Sequence, residues 1–290
     1  MTTTFEIGDL TLHRIVEKTE AFCTVGWMFP DLTPEQLADC RSWMRPVSLT
    51  QDDELIMCFQ SYVLRTPHHT ILIDSCIGNH KRLPQFPTWH MRATDNYMRS
   101  LASHGLTVED IDYVMCTHLH SDHVGWNTRL EDGRWVPTFP NARYLFTKKE
   151  YDYWADVNAR ESRDWFVDSV LPVMEANRVD LVGNTHELGD YVRFQPAPGH
   201  TPDHVVIRVG RNRDDAVIVG DAVHSPLQIR YPEISPGDEF DKVQSAASRR
   251  KLLSQYCDTN THFCTMHFPS PSVGHIRRQG EGFKCEMTRD

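Results

Sequence analysis

The residue types able to do chemistry are concentrated in one run of seven, Thr117-His118-Leu119-His120-Ser121-Asp122-His123. Imidazole nitrogens and carboxylate oxygens at this density suit a borderline divalent ion such as zinc, iron, manganese or cobalt. At the end of a strand, residues i and i+2 point to the same side, so His118 and His120 can grip one ion. Asp122 and His123 follow on the next turn and can address a second ion beside the first. A lone His-x-His reads as an incidental polar strand end; His-x-His-x-Asp-His does not. The chain holds 16 histidines in all, and three more of them follow apolar runs, at His200, His224 and His267.

Something must carry these side chains to one place, and short apolar runs are spaced to do it. Asp112–Thr117 reads as a buried strand feeding the histidine run, and Tyr62–Leu64 with Ile71–Asp74 as a hairpin around Thr66-Pro-His-His. Further strands are expected at Arg143–Phe146, Val192–Phe194, His204–Val209, Ala216–Gly220 and His262–Met266. Three of these end on metal-type donors: His200 in the turn Pro198-Gly-His-Thr-Pro, Asp221 after Val219-Gly, and His267 after Thr265-Met. Helices are expected at Trp89–His104, Lys148–Val157, Ser162–Asn177 and Asp238–Tyr256. Sheets covered by helices follow, an α/β architecture. Residues 23–50 and 78–92 lack periodicity and carry Trp27, Trp43, Phe86 and Trp89, which makes them expected active-site loops, with Trp27 and Trp89 as apolar walls. With no linker-like shift in composition, residues 1–290 are expected to form one domain.

Composition closes several other routes. The 290 residues carry 30 Lys plus Arg against 40 Asp plus Glu, a formal net charge of −10, which argues against nucleic acid as a partner. The N-terminus lacks the basic and apolar regions of a secretory signal, and no apolar stretch reaches membrane-span length. Eight cysteines are scattered with no Cys-x-x-Cys pair, so reduced thiols in a cytoplasmic protein are expected. A Gly-x-Ser-x-Gly elbow is missing, which removes the serine-hydrolase reading of Ser121.

With these residues in hand, the sequence resembles the metallo-β-lactamase-fold hydrolases, whose signature is His-x-His-x-Asp-His followed by His, Asp and His at later strand ends. Here those positions are His118, His120, Asp122, His123, His200, Asp221 and His267, and the resemblance runs from about residue 55 to 285. It implies an αβ/βα sandwich of two mixed sheets flanked by helices, with the metals at one edge. Carried over, His118, His120 and His200 would hold a first ion, and Asp122, His123 and His267 a second. Asp221 would bridge the two. Asp74, ending its strand, would accept a hydrogen bond from a ligand histidine. His224, three residues past Asp221, would meet the substrate.

Within that family, an acidic residue at the position of His120 would mark the flavodiiron branch, and loss of the bridging Asp marks the penicillin-cleaving branches. Neither departure occurs here. The words His123-Val-Gly-Trp-Asn, Gly199-His-Thr-Pro and Gly220-Asp-Ala-Val-His are most similar to the lactonase and methyl-parathion-hydrolase-like group, although Asp203 stands where relatives often carry glycine. The resemblance implies a small-molecule substrate, a lactone or carboxylic ester. It also implies a hydroxide shared by two divalent ions as nucleophile, with zinc the first expectation, and Asp122 as proton carrier. The alternative is a glyoxalase II-like thioesterase, with Lys81, Arg82 and Arg92 at a basic mouth, or a phosphotriesterase. The aromatic N-terminal stretch would also serve a homodimer interface.

Overall fold

The computed structural model describes residues 3–288. The chain forms two compact units that alternate along the sequence. The N-terminal unit comprises Thr3–Lys18 and Phe59–His186, and the C-terminal unit Thr19–Cys58 and the residues from Glu187 onward. No linker marks the first two crossovers because they fall inside long strands.

In the N-terminal unit, β1 (Thr4–Ile7) pairs antiparallel with β2 (Leu10–Thr24). β3 (Glu54–Arg65) turns into β4 (Thr70–Ile73), as the Thr66-Pro-His-His signal suggests. β5 (Tyr113–Met115) lies parallel to β4. A hairpin of β6 (Thr128–Glu131) and β7 (Arg134–Pro137) closes through Asp132-Gly133, both at positive φ. That Asp-Gly turn is a local hairpin signal which apolar periodicity alone passes over. β8 (Arg143–Thr147) and β9 (Val179–Val182) complete a seven-stranded mixed sheet, β1-β2-β3-β4-β5-β8-β9. Because β4, β5 and β8 are parallel, Asp74 and His118 emerge from the same edge. Tyr97 and Leu101 of the helix Asn96–Ser103 pack against Val114 and Tyr144 in the core, together with Phe166, Val170 and Val173.

Two expected helices in this unit are shorter than their apolar patterns. The helix expected from Trp89 begins at Asn96, because the backbone at 91 and 92 is spent on 80 and 81 (Met91 N to Lys81 O, 2.8 Å; His80 N to Arg92 O, 2.7 Å). The run expected over Ser162–Asn177 divides into Asp164–Ser169 and Leu171–Glu175, since Pro172 has no N–H to extend the ladder. Within the segment 78–92, most residues are exposed but Lys81, Leu83 and Trp89 are buried. Trp89 is 1 % exposed, its ring 4.8 Å from that of Phe59 and 4.4 Å from that of Phe86, so it is a core residue and not a substrate wall.

The C-terminal unit is a second seven-stranded sheet whose strands follow chain order: β10 (Glu187–Leu188), β11 (Val192–Pro196), β12 (Val205–Val209), β13 (Ala216–Ile218), β14 (His262–Cys264), β15 (Val273–Gln279) and β16 (Gly282–Met287). Every pairing is antiparallel except β13 with β14. Strands β11, β13 and β14 therefore run the same way, and His200, Asp221 and His267 all follow their C-terminal ends. The helices Pro226–Arg230 and Lys242–Tyr256 make the crossover between β13 and β14, and Leu252, Leu253 and Tyr256 pack on Val217 and Phe263. The stretch 23–50 holds the helices Val25–Met28 and Pro34–Met44. The second opens with a capping box, Thr33 with Gln36, and Pro34 in its first turn. Those three residues are a legible start signal that the low apolar content obscures. Among the described residues no helix is long and apolar enough to cross a membrane.

Candidate metal centre

Each unit carries its own set of donors. In the N-terminal unit the set starts from Asp74, fully buried at positive φ just past β4. Its carboxylate accepts from Thr117 N at 2.7 Å, Thr117 Oγ1 at 2.8 Å and His123 Nδ1 at 2.8 Å. Thr117 has one hydroxyl proton and gives it to Asp74, so its oxygen accepts from His118 Nδ1 at 3.0 Å. Both His118 and His123 therefore carry their proton on Nδ1 and turn an Nε2 lone pair the other way. His118 Nε2 meets His120 Nδ1 at 3.1 Å, the rings of His118 and His123 lie 4.1 Å apart, and Asp122 Oδ2 is 3.7 Å from His123 Nε2.

The turn that bears these residues is locked to the loop after β4. His123 O accepts from Ser75 N at 2.7 Å, and Gly125 N donates to Cys76 O at 2.7 Å. Glu17, wholly buried, receives Ile77 N at 2.8 Å and Trp126 Nε1 at 2.9 Å, with Arg92 at 3.2 Å. Burial raises the Glu17 carboxyl above its usual range, against the pull of Arg92. Lys81 is equally engaged. It is 1 % exposed, paired with Asp168 at 3.3 Å and seated over the Trp135 ring, and burial lowers it to about 8. Lys81 and Arg92 are therefore interior ion pairs and not the basic mouth the thioesterase alternative expects; Arg82 alone of the three is exposed, 3.7 Å from Asp164.

In the C-terminal unit three imidazoles converge on one carboxylate. Asp221 lies 3.3 Å from His200 Nε2, 3.1 Å from His224 Nε2 and 2.9 Å from His267 Nε2, all four side chains being buried. His267 Nδ1 faces the Cys58 carbonyl at 3.1 Å, which can only accept, so Nδ1 holds a proton. His267 Nε2 then faces Asp221 Oδ1 at 2.9 Å, and a cation shared by this nitrogen and the carboxylate satisfies both. This donor set fits a divalent cation. Burial disfavours charge on His200, but Asp221 and then Glu239 outweigh it and hold its pKa above the ordinary value. Asp221 N donates to His204 Nε2 at 3.0 Å, which fixes the backbone of the strand end.

The sequence reading missed His204, Glu239 and Arg249 in this unit. Arg249 donates to the carbonyls of Ala222, Pro232 and Ile234 and to the Ser245 hydroxyl, and stands 3.5 Å from Glu239. Its one signal is position, an arginine in the buried series Ser245, Arg249, Leu252, Leu253, Tyr256 of its helix. His224 is drawn to Asp221, and Trp27, 59 % exposed, stands against Phe22 at 6.4 Å.

A family model described as the Metallo-beta-lactamase superfamily matches residues 60–259. The chain belongs to that superfamily. Among curated proteins, it is 24% identical over 187 residues to an N-acyl homoserine lactonase of a Bacillus species, covering 59% of this chain and 66% of that protein. It is 22% identical over 186 residues to an N-acyl homoserine lactonase of Bacillus cereus, covering 64% of this chain and 65% of that one. These matches span a little under two thirds of the length of the relatives. Solved structures share the metallo-β-lactamase fold over nearly the whole chain. One is AidC, a dizinc quorum-quenching lactonase in complex with a homoserine product, with TM-score 0.79, 22% identity and coverage of 99% of this chain and 97% of that one. Another is hydrolase AbOPH of the beta lactamase superfamily, with TM-score 0.83, 20% identity and coverage of 99% and 97%.

Proposed function

We propose that this member of the superfamily is a dinuclear metal-dependent hydrolase that opens a small lactone or cleaves a carboxylic ester. The observation that carries the reading is the orientation of the donors. His118, His123 and His267 each have Nδ1 tied to an acceptor, which turns Nε2 toward another donor of the set: His120 for His118, Asp122 for His123 and Asp221 for His267. His118, His120 and His200 are assigned to a first ion, Asp122, His123 and His267 to a second, and Asp221 to both. Zinc is the first choice for this donor set, and iron, manganese or cobalt are compatible with it. When bound, the two ions supply a water-derived nucleophile at neutral pH and Lewis-acid polarisation of the carbonyl.

The chain's own residues do the rest. Asp122 is 15 % exposed where His123 is 1 %, so it can exchange protons with a substrate. It is assigned to take the proton from the attacking water and deliver it to the alkoxide as the acyl C–O bond breaks. Asp221 carries negative charge into a cluster of imidazoles and fixes their convergence. Trp27 and His224 are the proposed substrate contacts, and Trp89 leaves that set. The lactone class is supported by the curated relatives, which are N-acyl homoserine lactonases. The thioesterase alternative loses support because Lys81 and Arg92 are engaged in the interior.

The test is a pH-indicator assay of metal-quantified protein on N-acyl homoserine lactones, aryl esters, thioesters and phosphotriesters, with Asp221→Ala as control. Lactone turnover lost in the control is expected; thioester or phosphotriester turnover exceeding it would overturn the assignment. Asp122→Asn, with metal content measured alongside, is expected to lose about 100-fold or more in rate. A near-normal rate with both metals in place removes Asp122 from proton transfer.

A further inference from the structure

Leu119 separates His118 from His120, and both of its backbone polar groups are held by side chains of the N-terminal unit. Its N–H points at Glu150 Oε1 at 3.4 Å, and its carbonyl accepts from Trp165 Nε1 at 3.0 Å. Glu150, 1 % exposed, also accepts from Trp154 Nε1 at 2.8 Å, one turn along the helix Lys148–Arg160. The Trp154 ring stands edge-on to the His120 ring at 5.3 Å and to the Trp165 ring at 5.6 Å. One cluster thus grips the peptide between two metal donors and packs against one of the donors directly.

The cluster is a costly way to build a core. Burying a carboxylate is unfavourable unless its oxygens are hydrogen-bonded, and an apolar residue at 150 would fill the same space without that cost. What Glu150 adds is a fixed acceptor aimed at Leu119 N, while Trp165 adds a fixed donor aimed at Leu119 O. Together they determine the rotation of the peptides on either side and therefore the directions of both imidazoles. We infer that Glu150, Trp154 and Trp165 form a bracket that positions His118 and His120, setting the strength of the first ion's site separately from that of the second. The inference rests on the two-ion reading above. All three are positioning residues, acting through Leu119 and His120.

The experiment titrates the metal-free 290-residue chain with Zn²⁺ against a chromophoric chelator, in backgrounds that isolate each site. His123→Ala disables the second site and His118→Ala the first. In the His123→Ala background, Trp154→Leu and the near-isosteric Glu150→Gln are expected to weaken the remaining site by about 10- to 100-fold. In the His118→Ala background the same changes leave the remaining site within about twofold, which a general loss of structure would not do. Trp154→Phe, keeping a ring against His120, is expected to recover part of the affinity. Equal weakening of both sites, or of neither, overturns the bracket. A wild-type chain that binds one Zn²⁺ overturns the two-ion reading instead, and the bracket is then judged on whether Trp154→Leu weakens that single ion.

Discussion

Asp74 shows how one residue can govern several donors. Its carboxylate accepts three hydrogen bonds, two from Thr117 and one from His123, and through Thr117 it also sets the tautomer of His118. Asp74→Asn keeps the shape but turns an NH₂ toward donors, so one of those bonds must break. We expect Zn²⁺ affinity, measured by chelator competition, to fall about 10- to 100-fold, the usual cost of removing an outer partner of a metal-binding histidine. Unchanged affinity would show that Thr117 and His123 hold their orientation without it. At this scale the sequence is eloquent where a donor sits at a strand end, as with Asp74, His118 and Asp221, because alternation and chain direction decide where such a side chain emerges. It is silent on Glu150, Glu239 and Arg249, because the partners that matter are remote in the chain: Leu119 lies 31 positions from Glu150, Ala222 lies 27 from Arg249, and Glu239 faces His200.

Among the elements, two glycines make the site's turns. A Cβ on Gly125 would lie 1.9 Å from Ile77 O, and one on Gly199 would lie 2.1 Å from Ser245 N, with Gly199 also at φ +132°. Both neighbours are backbone and cannot swing aside. Gly125→Ala is expected to push the loop after β4 away from the helical turn Ser121–Val124, costing at least the 1–3 kcal/mol typical of overpacking and loosening metal binding with it. Gly183→Ala, with nothing within 4 Å, is the control and should stay within about 0.5 kcal/mol when both variants are compared by urea titration. A Gly125→Ala protein as stable as the control would mean the two loops are not tightly joined. The strands around these turns were readable because apolar runs of three to five residues have few other uses. The helix Pro34–Met44 and the hairpin Thr128–Pro137 were not read, although Thr33-Pro-Glu-Gln and Asp132-Gly133 announce them. Conversely, the apolar pattern over Trp89–His104 overstates its helix, since tertiary hydrogen bonds at residues 91 and 92 compete with helix formation.

For the whole molecule, acid stability depends on histidines outside the site. Burial first, then the nearby His104 and Arg65, lowers His13 from 6.5 to about 4, and its ring sits 4.5 Å from that of His104 and 3.0 Å from Thr4 Oγ1. The unfolded chain therefore binds this proton more readily than the folded one between pH 6.5 and about 4. The stability it contributes is complete above pH 6.5 and is lost as the pH falls through that window. Urea midpoints of the metal-free protein should decline over this range, and His13→Gln should flatten the decline; an unchanged slope would place the acid sensitivity elsewhere. The division into two units was invisible in the sequence, because two of its boundaries lie inside strands and carry no change of composition. The chemical class, in contrast, was carried by the sequence alone: seven donors, their strand-end positions and the family they resemble are local facts of type and spacing. Only the tertiary structure decided that Trp89, Lys81 and Arg92 belong to the interior, that Glu150 and two tryptophans grip Leu119, and that Glu239 and Arg249 stand behind His200. Each of those outcomes is a choice of partner among many residues of the same type. Burial and long-range hydrogen bonding make that choice, and neither has a period that a sequence can display.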